Sequence, residues 1–329
     1  MHISRRIFAI GLFGLFSGLF APLQVEAQLF GGGGERRSGP RFEATAWVIS
    51  DATTGVVLDS SNASKKLQIG SITKIATAMV VLDWAAARGE DLGQLATVPG
   101  TVSLLNSPNS IGLQMGDRIS LREALYAALM QSDNQAAETI AVHVGQKLGG
   151  GGDERASGDF FVSQMNALAR KLGMRTTRFL NAHGLDDLED KLPYSTAGDI
   201  ALLANYAVGH SGFSFYTSQK TRKVSWTTST GELAGAQIQN TNEMLGGIID
   251  GMKTGTTRRA GACVVITAAQ RPENRQNGDQ QVITPRRLTV VVLDAPRRFE
   301  TANSLLDYGW KQLNDWAAAG RPTKGWRPR

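Results

Sequence analysis

Ser71 and Lys74 stand three residues apart in Gly70-Ser71-Ile72-Thr73-Lys74, at the head of an apolar run from Ile75 to Trp84. On a helix that spacing puts the ammonium and the hydroxyl on one face. A serine hydroxyl becomes a nucleophile when a neighbouring base takes its proton. A lysine can be that base if burial or another cation lowers its pKa. The chemistry suggested is acyl transfer through a serine ester. Ser-x-x-Lys arises about once by chance in a chain of this length, so its weight depends on company.

That company is present. Ser132-Asp133-Asn134 lies between two helical patterns, and Lys253-Thr254-Gly255 lies just before the apolar run Ala262-Cys263-Val264-Val265-Ile266. Ser-x-Asn also occurs at Ser60 and Ser107, but only Ser132 has a helix on each side. The three patterns, in this order and context, are the set shared by penicillin-binding proteins and class A β-lactamases.

From Phe42 to Trp310 the chain resembles the low-molecular-mass penicillin-binding proteins, serine-type D-alanyl-D-alanine carboxypeptidases. Besides the three motifs, Asn181-Ala182-His183-Gly184-Leu185 is similar to a family segment Asn-x-His-Gly-Leu. So are Asn240-Thr241-Asn242 and Ile249-Asp250-Gly251-Met252-Lys253-Thr254-Gly255-Thr256 with Ala260-Gly261-Ala262-Cys263 to theirs. The resemblance implies a β-lactamase/transpeptidase-like fold of mixed α/β (α+β) class. Its antiparallel sheet comes from both chain ends and is flanked by helices. An all-helical insertion lies between those ends, with the active site between sheet and insertion.

The resemblance and the chemistry together assign roles. Ser71 is the nucleophile and Lys74 the general base for acylation. Ser132 relays the proton to the departing D-alanine, and Asn134 hydrogen-bonds the substrate amide or Lys74. Lys253 supplies a charge that lowers the proton affinity of Lys74 and attracts the terminal carboxylate. Thr254, Gly255 and Thr256 line the substrate, with the two threonines bonding that carboxylate. The backbone N–H groups of Ser71 and Thr256 form the oxyanion hole. The substrate is a peptidoglycan stem peptide ending in D-Ala-D-Ala, and β-lactams acylate the same serine. No cofactor is expected.

Other readings stay open. A D,D-endopeptidase cutting peptide crosslinks would use the same residues. A class A β-lactamase needs a carboxylate to activate the deacylating water, and neither Glu154 nor Glu189 lies in a Glu-x-x-x-Asn context. A binding protein that holds peptidoglycan without cutting it needs none of the activated set. His183 could suggest a Ser-His hydrolase. No Gly-x-Ser-x-Gly elbow accompanies it, so a structural role is expected.

These residues need elements to position them. Residues 1–27 read as a signal peptide: Arg5 and Arg6, an uncharged run from Ile7 to Val25 broken by glycines and Pro22, then Val25-Glu26-Ala27. Ser4-Arg5-Arg6-Ile7-Phe8 also resembles the twin-arginine signature, so both export routes fit. Export to the periplasm or cell envelope follows. Residues 28–41, with Gly31 to Gly34, form a flexible linker. The catalytic domain spans 42–316, and a basic tail from 317 to 329 is expected to be disordered.

Within the domain, Phe42–Ser50 and Val56–Asp59 suggest a hairpin and Ser71 heads a helix to Arg88. Ser120 to Glu123 reads as a capping box opening Leu121–Met130. Helices follow over Gln135–Val144, Phe160–Leu172 (closed by Gly173) and Thr196–Val208. The glycine-rich stretch from Gly149 to Gly152 reads as a surface insertion. Strands over Ala260–Ala269 and Arg287–Asp294 are split by a polar loop, and Arg298–Trp316 closes the domain.

Composition excludes other classes. The net charge is +6 and the pI about 9.5, but the basic residues are spread out without a nucleic-acid motif. This charge also suits an anionic glycan. The basic tail with Trp326 is short and lacks a clear amphipathic helix, and contact with a membrane surface stays open. Cys263 is the single cysteine, so no internal disulfide forms, and its apolar run marks it as a core thiol. The four histidines are scattered without metal-ligand spacing, so no zinc site is expected.

Overall fold

The structure, a computed structural model, describes residues 40–187, 191–277 and 280–328. The expected signal peptide, nearly all of the linker, and Glu189 lie outside the described residues.

The chain opens with β1 (Ala46–Asp51) and β2 (Val57–Ser61), paired antiparallel as the hairpin pattern predicts. Its C-terminal part adds β7 (Ile249–Thr257), β8 (Gly261–Asn277), β9 (Gln280–Leu293) and the helix α7 (Arg298–Ala318). Together they form one antiparallel sheet in the order β2-β1-β9-β8-β7. The first strand therefore pairs with the last, Trp47 opposite Val292.

Both faces of this sheet are covered, which is why its strands read as unbroken apolar runs. Alternate side chains go to opposite sides. Val48, Val265 and Val291 enter the larger core with the helices. Ile49, Ile266 and Val290 join Leu305, Leu313 and Trp316 of α7 on the other side. Cys263 is fully buried in the larger core, as expected of a core thiol.

Between the chain ends lie α1 (Lys74–Arg88), α2 (Leu121–Tyr126), α3 (Asn134–Lys147), α4 (Glu154–Lys171), α5 (Ala197–Val208) and α6 (Ser211–Thr217). The insertion is not all-helical, contrary to expectation. It also carries a four-stranded sheet of β3 (Leu95–Thr97), β4 (Arg118–Ser120), β5 (Thr221–Thr227) and β6 (Leu233–Gln239). Two of these strands have only three residues each, and the seven-residue β5 and β6 are half-exposed, so the sheet leaves a weak apolar alternation.

Four further corrections have local causes. The expected polar loop after Ala269 is instead a continuation of the β8–β9 hairpin, with Glu273 opposite Thr284 across a register shift. A ladder of polar residues satisfies its backbone in solvent without an apolar pattern. Helix α3 runs through Gly145 to Lys147, because a glycine there lets α4 approach. A Cβ at Gly145 would collide with the Ser157 carbonyl. The Gly149–Gly152 stretch is the tight α3–α4 turn: Gly150 is buried and its N–H bonds Gly145 O. Finally, the tail is packed rather than free of contacts. Trp326 Nε1 donates to Leu58 O at 3.0 Å and Arg321 pairs with Glu273 at 3.0 Å.

Candidate active site

Ser71 does not sit in the helix proper. Gly70–Thr73 forms one 3₁₀ turn, and α1 begins at Lys74. Gly70 has φ +52, the left-handed region that favours glycine. The turn is clasped from two sides. A Cβ at Gly255 on edge strand β7 would lie 2.5 Å from Ile69 O and 3.0 Å from Ile72 N. A Cβ at Gly184 would collide with Gly70 O. Two glycines thus let β7 and the loop from Asn181 to Leu185 close on the serine turn. Thr256 N lies 3.2 Å from where a Gly70 Cβ would be, so the Thr256 amide faces the Ser71 turn.

Lys74 is fully buried, and its Nζ donates to three oxygens: Ser71 Oγ at 2.9 Å, Asn134 Oδ1 at 2.7 Å and His183 O at 2.7 Å. Burial pushes the amine down from 10.5 to about 7, against the opposing pull of the Asp133 carboxylate. The sequence argument credited Lys253 with this shift. Burial is the larger cause. The repulsion between the amines is seen at Lys253, which is held well below its ordinary value first by burial, then by Lys74 and Arg298.

The second motif comes from a helix break. A π-type turn over Ala127–Gln131 ends at Ser132, which has φ 64, and α3 restarts at Asn134. Asp133 caps α3 by accepting from Ala136 N at 2.7 Å, and it also accepts from Ser110 Oγ at 2.6 Å. The break aims Ser132 at Lys253, whose Nζ donates to Ser132 Oγ at 2.9 Å, while Asn134 meets Lys74. Each lysine thus holds one polar residue of the Ser-Asp-Asn motif.

Thr254 and Thr256 lie on β7 with Lys253. Thr254 Oγ1 is 2.6 Å from Thr241 Oγ1, and Thr241 N donates to Met130 O. The Asn240–Asn242 segment therefore ties β7 to the helix break. Asn242 Nδ2 also donates to Gly251 O at 3.0 Å.

The structure brings together Ser71, Lys74, Ser132, Asn134, Lys253, Thr254, Gly255 and Thr256. It also adds groups that the sequence reading missed. One is the His183 carbonyl, a backbone group that no side-chain motif announces. The His183 ring is buried and pushed down to about 3 by burial and by Lys74, so it stays neutral. Its Nδ1 accepts from Leu185 N at 3.2 Å, and Asn181 bonds Gly184 N and Leu185 O to close the loop. Another is Arg298, whose Nη1 donates to Thr256 Oγ1 at 2.7 Å. A cation at the positive end of α7 opposes the helix dipole, and that was a usable signal. Of the two carboxylates weighed for water activation, Glu154 accepts from Thr101 N at 3.2 Å on an exposed helix end.

Residues 34–278 match the peptidase family described as D-alanyl-D-alanine carboxypeptidase. The chain belongs to that family. It is 31% identical over 304 residues to D-alanyl-D-alanine carboxypeptidase DacC of Escherichia coli, an alignment covering 89% of this chain and 66% of that protein. The chain thus spans just under two thirds of the length of DacC and of the DacD carboxypeptidases it also matches. It is also 28% identical to the E. coli D-alanyl-D-alanine endopeptidase, covering 88% of this chain and 83% of the relative. Penicillin-binding protein D2 of Listeria monocytogenes, solved in an ampicillin-bound form, superposes with a TM-score of 0.62 and 29% identity. That match covers 83% of this chain and 99% of the other. The fold is therefore the transpeptidase-like one that the family resemblance implied.

Two expected outcomes arise from this geometry. The base form of Lys74 is the neutral amine, so acylation is expected to rise with pH to a half-maximum near 7, where burial places the amine. Rates of penicillin acylation between about pH 5 and 9 check this, and a flat profile across that range would remove Lys74 as the titrating base. His183 does not titrate in this window. Second, Arg298→Leu is expected to lower kcat/KM about 10- to 100-fold for peptides with a free C-terminal carboxylate, the size of one hydrogen bond to a charged group. Peptides amidated at that terminus should lose much less. Equal losses on both would give Arg298 a purely structural role.

Proposed function

We propose that the protein is a serine D-alanyl-D-alanine carboxypeptidase that removes the terminal D-Ala from peptidoglycan stem pentapeptides. The observation that carries this reading is the buried Lys74 amine, pushed to about 7 and 2.9 Å from Ser71 Oγ. Lys74 takes the Ser71 proton as Oγ attacks the carbonyl of the penultimate D-Ala. The N–H groups of Ser71 and Thr256 hold the oxyanion, each such donor contributing about 100- to 1,000-fold in rate. Ser132, held by Lys253, passes a proton to the amine of the departing D-Ala. The terminal carboxylate is received by Thr254, Thr256, Lys253 and Arg298, where it supplies a counter-charge beside the Lys253 amine, whose charged neighbours Lys74 and Arg298 are both cations. Water then cleaves the ester and frees Ser71. Penicillin enters as an acyl donor whose leaving group stays attached, so its ester on Ser71 persists. The N-terminal arginines and apolar run support export to the periplasm or envelope, where this substrate lies.

Purified enzyme should release D-alanine from a D-Ala-D-Ala pentapeptide, and intact mass should grow by one penicillin in the parent but not in Ser71→Ala. A labelled Ser71→Ala would overturn the nucleophile. A protein that binds peptidoglycan with neither D-alanine release nor an adduct would be a binding module instead. Rapid penicillin turnover would indicate a β-lactamase. The relatives named as endopeptidases support a second reading, D,D-endopeptidase action on crosslinks. Crosslinked muropeptides decide it: cleavage there without D-alanine release from the pentapeptide would replace carboxypeptidase by endopeptidase.

A further inference from the structure

A cleft of about 700 Å³ lies at the C-terminal end of α4, apart from Ser71 and Lys74. Arg170, Arg175 and Arg178 line it, with Asn166, Thr177 and Tyr194. The three arginines are exposed, and among the described residues none makes an ion pair or a side-chain hydrogen bond. Lys66 adds a fourth cation, its Nζ 4.8 Å from the Tyr194 ring centroid. The buried Asp199 carboxylate behind the wall residue Thr177 is occupied by Thr176 N and Thr177 Oγ1. The three arginines and Lys66 thus stand around a concave site with an aromatic wall.

The cleft is rigid and connected to the catalytic loop. Arg178 and Tyr194 exchange two backbone hydrogen bonds, of 2.8 and 3.1 Å. Asn166 both donates to Phe179 O and accepts from Phe179 N. From Arg178 the chain runs five residues to His183, whose carbonyl holds Lys74. Chain reach limits that separation to roughly 18 Å.

We propose that this cleft is a second substrate site, binding the free carboxylates of a neighbouring stem peptide on the same peptidoglycan polymer. The inference rests on the function proposed above. Guanidinium groups pair carboxylates in a two-pronged geometry, and the polymer presents many carboxylates near each D-Ala-D-Ala end. The site would hold the polymer while Ser71 works on one terminus, and a short peptide would not reach it.

The test separates binding from catalysis. Ser71→Ala protein is sedimented with insoluble peptidoglycan, either native or with its carboxylates amidated by carbodiimide. Adding Arg170→Gln, Arg175→Gln and Arg178→Gln together should weaken retention on native polymer about tenfold, the sum of three exposed ion pairs. Amidation should weaken the starting protein similarly and change the triple variant little. Undiminished retention of the triple variant, or equal retention of the starting protein on amidated polymer, would overturn the proposal. In the active enzyme the triple variant should keep kcat/KM on a short acyl-D-Ala-D-Ala peptide within about twofold, because no cleft residue touches Ser71 or Lys74. Should the triple variant fold poorly, Arg175→Gln alone gives the same reading at about twofold. Failure of the parent to cleave the short peptide would sink the catalytic proposal, while the sedimentation result would still decide the cleft.

Discussion

Replacing Lys74 with alanine is expected to slow acylation of Ser71 by about 10²- to 10⁴-fold, the range of a positioned general base. Three consequences act together. The base is lost, Ser71 Oγ loses its donor, and Asn134 Oδ1 and His183 O are left buried without the amine they shared. Lys74→Arg should fail as well, although it keeps a cation and several donors, because a guanidinium is not deprotonated at accessible pH. It also overfills a fully buried position. The measurement is the second-order rate of labelling by fluorescent penicillin, with thermal unfolding confirming that each variant is folded. A Lys74→Arg variant within tenfold of the parent would mean that the lysine acts as a charge rather than as a base.

Gly184→Ala is expected to be the most damaging single methyl in the site. Gly184 has φ +88, and its new Cβ would collide with Gly70 O and lie 2.9 Å from Thr73 Oγ1. Strained backbone costs about 1–3 kcal/mol and overpacking about as much again. The loop must then withdraw, taking the His183 carbonyl from Lys74 and loosening the serine turn. Both thermal stability and acylation should fall, acylation by at least about tenfold. Gly173→Ala is the control. Gly173 also has positive φ, 77, but a Cβ there meets nothing within 4 Å. It should lose stability to the backbone alone and acylate normally. Equal effects of the two substitutions on acylation would show that the clasp does not position the site.

Much of the protein is legible from local signals. Ser120 caps its helix by accepting from Glu123 N, as its side chain predicts, and of the two candidates Ser195 and Thr196 it is Thr196 that accepts from Asp199 N. Only half of the predicted capping box forms, because the Glu123 carboxylate instead pairs with Arg222 at 3.0 Å. That choice belongs to the neighbouring strand β5, which no local pattern reveals. The all-helical insertion was the larger error. Two strands of its sheet, such as Leu95–Thr97, are too brief to show a period, and the longer β5 and β6 are half-exposed. Polar β8–β9 residues read as loop because a solvated hairpin needs no apolar face.

The candidate catalytic set was read from residue type and spacing: a serine, a lysine three on, a Ser-x-Asn and a Lys-Thr-Gly. What those patterns could not contain is the arrangement across the chain. The Asn181–Leu185 loop delivers a carbonyl to Lys74, and glycines at 184 and 255 admit the two clasping segments. Arg298 reaches Thr256 from 42 residues away, and burial rather than a second cation sets the Lys74 amine near 7. Desolvation is a property of everything packed around a group. The sequence proposed a nucleophile and a base, and only the folded core pushes that amine down to about 7.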